Sequence, residues 1–139
     1  MSLLNAEPPK PPSGIRKYVS IPLLILIVVL AVAIVGLLGF KFWNYSEERA
    51  VSGFLTALEQ GNYREAYNLW QPSPSYTFED FLAAWGEQAD YGKIRNFQIL
   101  GSRSKGPSTV VVTVRINNVE PPIDLLVDRK TKGIAYSIF

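Results

Sequence analysis

Two pairs of neighbouring acids, Glu47-Glu48 and Glu79-Asp80, are the first places to look for chemistry in this chain. The sequence has no cysteine and no histidine. That removes disulfides, thiolate nucleophiles, the usual zinc ligand sets and any Ser-His-Asp or Cys-His relay. Acid–base work would fall to carboxylates, Tyr, Lys and Arg alone. Both acid pairs stand at predicted helix starts, where negative charge complements the helix dipole. They read as caps. Glu65 and Glu87 read as solvated helix faces, Asp90 as a turn residue, and Asp124 and Asp128 as the wet face of a strand. The expectation is a chain that is not an enzyme, with no catalytic residue, no metal and no cofactor.

Two other sets of residues invite a functional reading. Tyr63, Tyr67, Trp70, Trp85 and Tyr91 carry polar tips on aromatic bodies and could line an amphiphilic pocket. At helical spacing, in a domain of modest size, the same residues serve as core, and core is the preferred reading. Arg95, Arg103, Arg115 and Arg129 are distributed along the predicted strands and their ends. Several could share the outer sheet face, a solvated face being the default reading and a docking surface for an acidic partner the functional alternative.

The elements that hold these residues are legible from periodicity. Val51, Phe54, Leu55 and Leu58 recur at i, i+3, i+4 and i+7, and Gly61-Asn62 closes that helix. Tyr63, Ala66, Tyr67 and Trp70 repeat the spacing until Pro72 and Pro74 stop it. Thr77 and Asp80 open a third helix carrying Phe78, Phe81, Leu82 and Trp85. After Tyr91-Gly92 the period becomes two. Strands are predicted over residues 94–103, through Val110, Val112, Val114 and Ile116, through Ile123, Leu125 and Val127, and through Ile134, Tyr136 and Ile138. Helices first and hairpin-linked strands second imply an α+β domain, three helices packed on one face of a four-stranded antiparallel sheet.

Ahead of this domain, residues 18–40 run 23 positions without a charge. A bilayer core of ~30 Å needs ~20 apolar residues, so the run is long enough to span. Arg16, Lys17 and Tyr18 mark one interface, and Lys41, Phe42, Trp43 and Tyr45 the other. Ala31-Val32-Ala33 has the form of a signal-peptide cleavage site, but the seven residues after it are all apolar or Gly, so an uncleaved anchor is expected. No proline interrupts residues 23–60, so the anchor is expected to continue unbroken into the next helix. Asn44-Tyr45-Ser46 has the glycosylation sequon form but abuts the membrane and is read as chance. Lys10, Arg16 and Lys17 before the span against Lys41 and Arg49 after it place the N-terminus in the cytoplasm by the positive-inside rule.

The expected organisation is therefore a Pro-rich cytoplasmic tail (1–17), a transmembrane anchor (18–43) and an extracytoplasmic domain (44–139). The net charge is +2, and residues 1–41 carry four Lys or Arg against Glu7. Basic charge on a tail, with a near-neutral folded part, argues against nucleic acid.

The stretch "AVSGFLTALEQGNYREAYNLWQPSPSYTFEDF" resembles the opening of small cone-shaped domains similar to nuclear transport factor two, in particular bacterial lipoprotein-like members. The resemblance covers residues 46–139 and implies a curved antiparallel sheet wrapped around the helices. Enzymes of that superfamily use an Asp, Tyr or His inside the cone, and no residue here matches such a role. The resemblance informs fold and leaves function open.

The functional expectation is a single-pass accessory subunit of the bacterial inner membrane that stabilises a larger membrane protein complex, energy-transducing assemblies being one class that carries such subunits. A membrane-tethered small-ligand binder is the alternative. The partner helix is expected on the stripe Val29, Ala33, Gly36 and Phe40, where Ala33 and Gly36 form a shallow notch. The stripe lacks the i, i+4 glycines of a strong dimer motif, so self-association is not indicated.

Overall fold

The computed structural model describes residues 8–10 and 20–137. The expected interface markers Arg16, Lys17 and Tyr18, most of the tail, and Ile138 lie outside the described residues. The chain divides into two compact units, Met1–Leu38 and Gly39–Phe139.

The first unit is dominated by α1 (Ile21–Phe42), which begins there and ends in the second unit. Pro22 falls in its first turn, where a missing N–H leaves no ladder bond unmade. Every residue of α1 is exposed, and the helix is long and apolar enough to cross a membrane.

The second unit is α+β. Its further helices are α2 (Tyr45–Glu59), α3 (Tyr63–Trp70) and α4 (Phe78–Trp85), followed by strands β1 (Phe97–Lys105), β2 (Thr109–Ile116), β3 (Ile123–Asp128) and β4 (Ile134–Tyr136). The strands form one open antiparallel meander in the order β1-β2-β3-β4. Helix ends follow local chemistry. Gly61 at φ 74° lets the N–H groups of Gly61 and Asn62 reach back to Leu58 and Ala57, a Schellman closure of α2. The Asn62 side chain caps α3, accepting from the Glu65 N–H and donating to the Glu65 carboxylate, and Thr77 and Asp80 complete a capping box on α4.

One expected continuity is absent. The helix running out of α1 breaks at Trp43-Asn44, and α2 starts afresh at Tyr45. No proline or glycine is responsible. Asn44 leaves the helical region at φ −106° and ψ 15°, and its carboxamide oxygen accepts a hydrogen bond from Arg129 (2.8 Å), 85 residues along the chain.

The core sits between α2 and the sheet, with α3 and α4 closing it from the helical side. Val51, Phe54, Leu55 and Leu58 of α2 meet Val110, Val112, Val114 and Ile116 of β2 and Leu125 and Val127 of β3. Phe54 is the hub: its ring lies 5.3 Å from Trp70, 6.1 Å from Phe81 and 5.1 Å from Trp85 between centroids. The Phe81 and Trp85 pairs are edge-to-face, a geometry that adds about 0.5–1.5 kcal/mol each beyond burial.

Two departures come from β1. Its pairing begins at Phe97 rather than residue 94, and a register shift falls between Ile99 and Gly101. Residues 91–96 are instead clamped by Asn117, whose side chain accepts from the N–H of Arg95 (2.8 Å) and donates to the carbonyls of Tyr91 (3.1 Å) and Lys93 (3.0 Å). Asn117 and Asn118, both at positive φ, make the tight turn that places this clamp.

Candidate functional site

The richest concentration of charged, polar and exposed aromatic groups lies at one end of the second unit. There the first turn of α2, the β1–β2 turn and the β3–β4 turn converge. The antiparallel meander brings both turns to the same end, and the Arg129 N–H donating to the Ser108 carbonyl (2.8 Å) joins them. Asp128 accepts from the N–H groups of Lys130 and Thr131 and so shapes the second turn. The Thr131 N–H holds the Asp128 carboxyl below the usual range against the opposing effect of desolvation, helped by the Thr131 hydroxyl and by the N–H and charge of Lys130.

At the centre is Glu47, 2% exposed. Its Oε1 accepts from Lys132 Nζ at 2.6 Å and faces Arg129 at 3.6 Å. Lys132 also donates to Ser46 (2.9 Å), and Arg129 to Asn44 and Ser104. Burial opposes ionisation of Glu47. The hydrogen bonds from Lys132, its own backbone N–H and Ser46, with the Lys132 charge, outweigh it and hold the carboxyl below its ordinary value. Glu48, one residue on, accepts from Ser102 of β1. The acidic pair expected to serve only as a dipole cap therefore ties α2 to two strand ends.

Beside this knot is a cleft of about 610 Å³, lined chiefly by Phe40, Phe42, Trp43 and Tyr45 on one side and by Gly101, Ser102, Arg103 and Ser104 on the other. A shallower depression of about 450 Å³ adjoins it, between Trp43, Pro107 and Arg129. Trp43 belongs to both and is 70% exposed.

The five aromatic residues proposed for a pocket lie elsewhere. Trp70 and Trp85 are buried in the core, and Tyr63, Tyr67 and Tyr91 pack against it half-buried. Trp85 stacks on Tyr136 (5.4 Å) and on Tyr91 (6.3 Å), while Tyr67 turns to Phe78 and Phe81 and donates its hydroxyl to the Tyr76 carbonyl (2.6 Å). Burial pushes the hydroxyls of Tyr63, Tyr76, Tyr91 and Tyr136 above the ordinary range. Tyr91 borders an open depression with Lys93, Arg95 and Asn117. The Trp85 indole N–H has no acceptor among the described residues.

The four arginines separate. Arg103 and Arg115 share the outer sheet face, paired with Asp124 (2.9 Å) and Glu120 (2.6 Å). Arg129 joins the Glu47 knot, and Arg95 precedes β1. A hydrogen bond from Thr113 to Asp124, partly offset by burial and reinforced by Arg103, holds the Asp124 carboxyl low. Val29, Ala33, Gly36 and Phe40 are exposed along α1, and a Cβ built on Gly36 meets nothing within 4 Å. Among the described residues no three acidic side chains gather as metal ligands would.

No protein family, curated protein or solved structure matches this chain.

Proposed function

We propose that this protein is a single-pass accessory subunit of the bacterial inner membrane, with α1 as its span, the tail in the cytoplasm and the α+β unit outside. The α+β unit docks on a larger membrane protein and stabilises it, energy-transducing assemblies being one class this suits. The observation that supports this reading most directly is α1, 22 residues without a charge until Lys41 and exposed throughout. In water an exposed apolar surface of that extent is untenable, and in a bilayer it is the expected state.

The second unit supports an interaction role through what its polar groups do. Asp80 caps a helix, Asp124 and Glu120 neutralise arginines, Asp128 shapes a turn and Glu47 locks α2 to the sheet. Each is engaged in holding the fold. In the bilayer, close approach at small residues carries much of helix association, so the partner's helix seats at Ala33 and Gly36, flanked by Val29 and Phe40. Ala33→Ile with Gly36→Ile keeps the span apolar while filling the notch. At matched membrane expression, recovery of the co-purifying partner should fall. Undiminished recovery would leave α1 as a tether only.

A further inference from the structure

We propose that the end of the second unit bearing the two hairpin turns is a binding face for anionic phospholipid headgroups, an assignment that rests on reading α1 as a membrane anchor. The last turn of α1 belongs to this unit, so connectivity alone brings its neighbours to the level at which an anchor leaves the bilayer. Phe42, Trp43 and Tyr45 are all exposed there, and such aromatic rings favour the headgroup layer.

The charges fit the same surface. Lys41, Arg103, Lys105, Arg129, Lys130 and Lys132 cluster at this end. Glu47 occupies Arg129 and Lys132, and Asp124 occupies Arg103. Lys41, Lys105 and Lys130 make no ion pair among the described residues and are exposed. Lys130 lies near the Asp128 carboxylate, whose oxygen is already committed to turn N–H groups. Lys41 thus lines an aromatic and polar cleft of about 610 Å³ together with Arg103 and Glu48, whose carboxylate accepts from Ser102, while Lys105 and Lys130 stand exposed at the two turns of the same end. An anionic phospholipid matches both parts, its phosphate against the lysines and its glycerol and upper acyl carbons against Phe40, Phe42 and Trp43. A soluble anion would use the lysines and leave the aromatic wall unexplained.

The chain has no cysteine, so a single introduced thiol carries a probe to one place. Ser108→Cys in the β1–β2 turn reports on this face, and Val119→Cys in the β2–β3 connection reports on the opposite end. Full-length chain, bimane-labelled at either position, is reconstituted into vesicles of phosphatidylcholine alone or of equal parts phosphatidylcholine and phosphatidylglycerol. Both contain a headgroup-nitroxide quencher. Quenching at position 108 should be stronger in the anionic vesicles and revert at 1 M salt, where the screening length falls to ~3 Å. Quenching at 119 should not depend on lipid charge. Lys41→Gln, Lys105→Gln and Lys130→Gln together should lower the docked-to-undocked ratio by on the order of 100-fold, and the three Lys→Arg changes should restore it. Equal quenching at 108 in both vesicles overturns the assignment and leaves this face to a protein partner. An alkaline carbonate wash separates the two levels: if it strips the chain from vesicles, the anchor reading fails instead.

Discussion

Glu47→Gln is the most informative single change in the second unit, because it removes one charge and almost no volume. The wild-type carboxylate is 2% exposed, while Lys132 and Arg129 keep 36% and 22% of their side-chain surface. Breaking a fully buried ion pair costs about 3–5 kcal/mol, whereas an exposed pair contributes about 0–1 kcal/mol. Here the anion is buried and the cations retain partial access to water, so solvent screening discounts the upper figure. A loss of about 1–3 kcal/mol follows, and at about 4–8 °C per kcal/mol for a domain of this size the midpoint should drop by about 5–20 °C.

Intrinsic fluorescence of Trp70 and Trp85 on heating reads this unfolding, since both are buried and Trp43 is exposed throughout. The pH dependence fixes the cause. A carboxyl whose pKa is depressed on folding contributes stability above its unfolded value, here near 4.5. That contribution is lost as pH falls through the lower, folded value. The gap between wild type and variant should therefore be full at neutral pH and close below the ordinary carboxylate range. Replacing Glu47 by Leu and Lys132 by Met together should recover part of the loss, because the buried anion and its nearest cation leave together while Arg129 keeps its hydrogen bonds to Asn44 and Ser104. An unchanged midpoint for Glu47→Gln, or a gap that persists undiminished at low pH, would refute the account of this knot.

Two further outcomes follow from the core and from topology. Trp85→Phe keeps the contacts with Phe54 and Tyr136 and removes an indole N–H that has no acceptor, so it should stay within about 1 kcal/mol of wild type in denaturant midpoint, whereas Trp85→Ala should cost about 3–5 kcal/mol. Protease added outside intact cells should remove the α+β unit and leave the anchor and tail protected; a fully protected chain would reverse the orientation.

Much of the fold was legible because its signals are local. Thr77 with Asp80, and Gly61, mark helix ends within four residues of the groups they satisfy, whereas Glu65, read as a solvated face, is bonded to the Asn62 cap of α3. The alternation along β2 and β3 likewise identified Val110, Val112, Val114, Leu125 and Val127 as core. What escaped is tertiary. Asn44, at the break, bonds to Arg129, and the buried Glu47 to Lys132, each 85 residues from its partner. No local pattern distinguishes that glutamate from an ordinary dipole cap. Val111 sits on the outer face by alternation yet is buried, between its cross-strand neighbours Arg103 and Leu126. The extra residue in β1 and the Asn117 clamp came from side-chain hydrogen bonding and register, which periodicity does not carry. The aromatic cleft was half visible: Phe42, Trp43 and Tyr45 stood out as interface markers, but Ser102, Arg103 and Ser104 opposite them come from a strand far along the chain.

The central claim is that this 15.5 kDa chain works as part of a larger membrane assembly. Its most direct test is the mass of the particle that contains it. Native membranes are extracted in gentle detergent, the chain is followed by a C-terminal tag through size separation, and its companions are identified by mass spectrometry. The account predicts a particle far heavier than one chain and its micelle, with the same integral membrane protein recovered in each preparation. A chain that migrates alone at every detergent concentration, with no membrane protein recovered beside it, would contradict it.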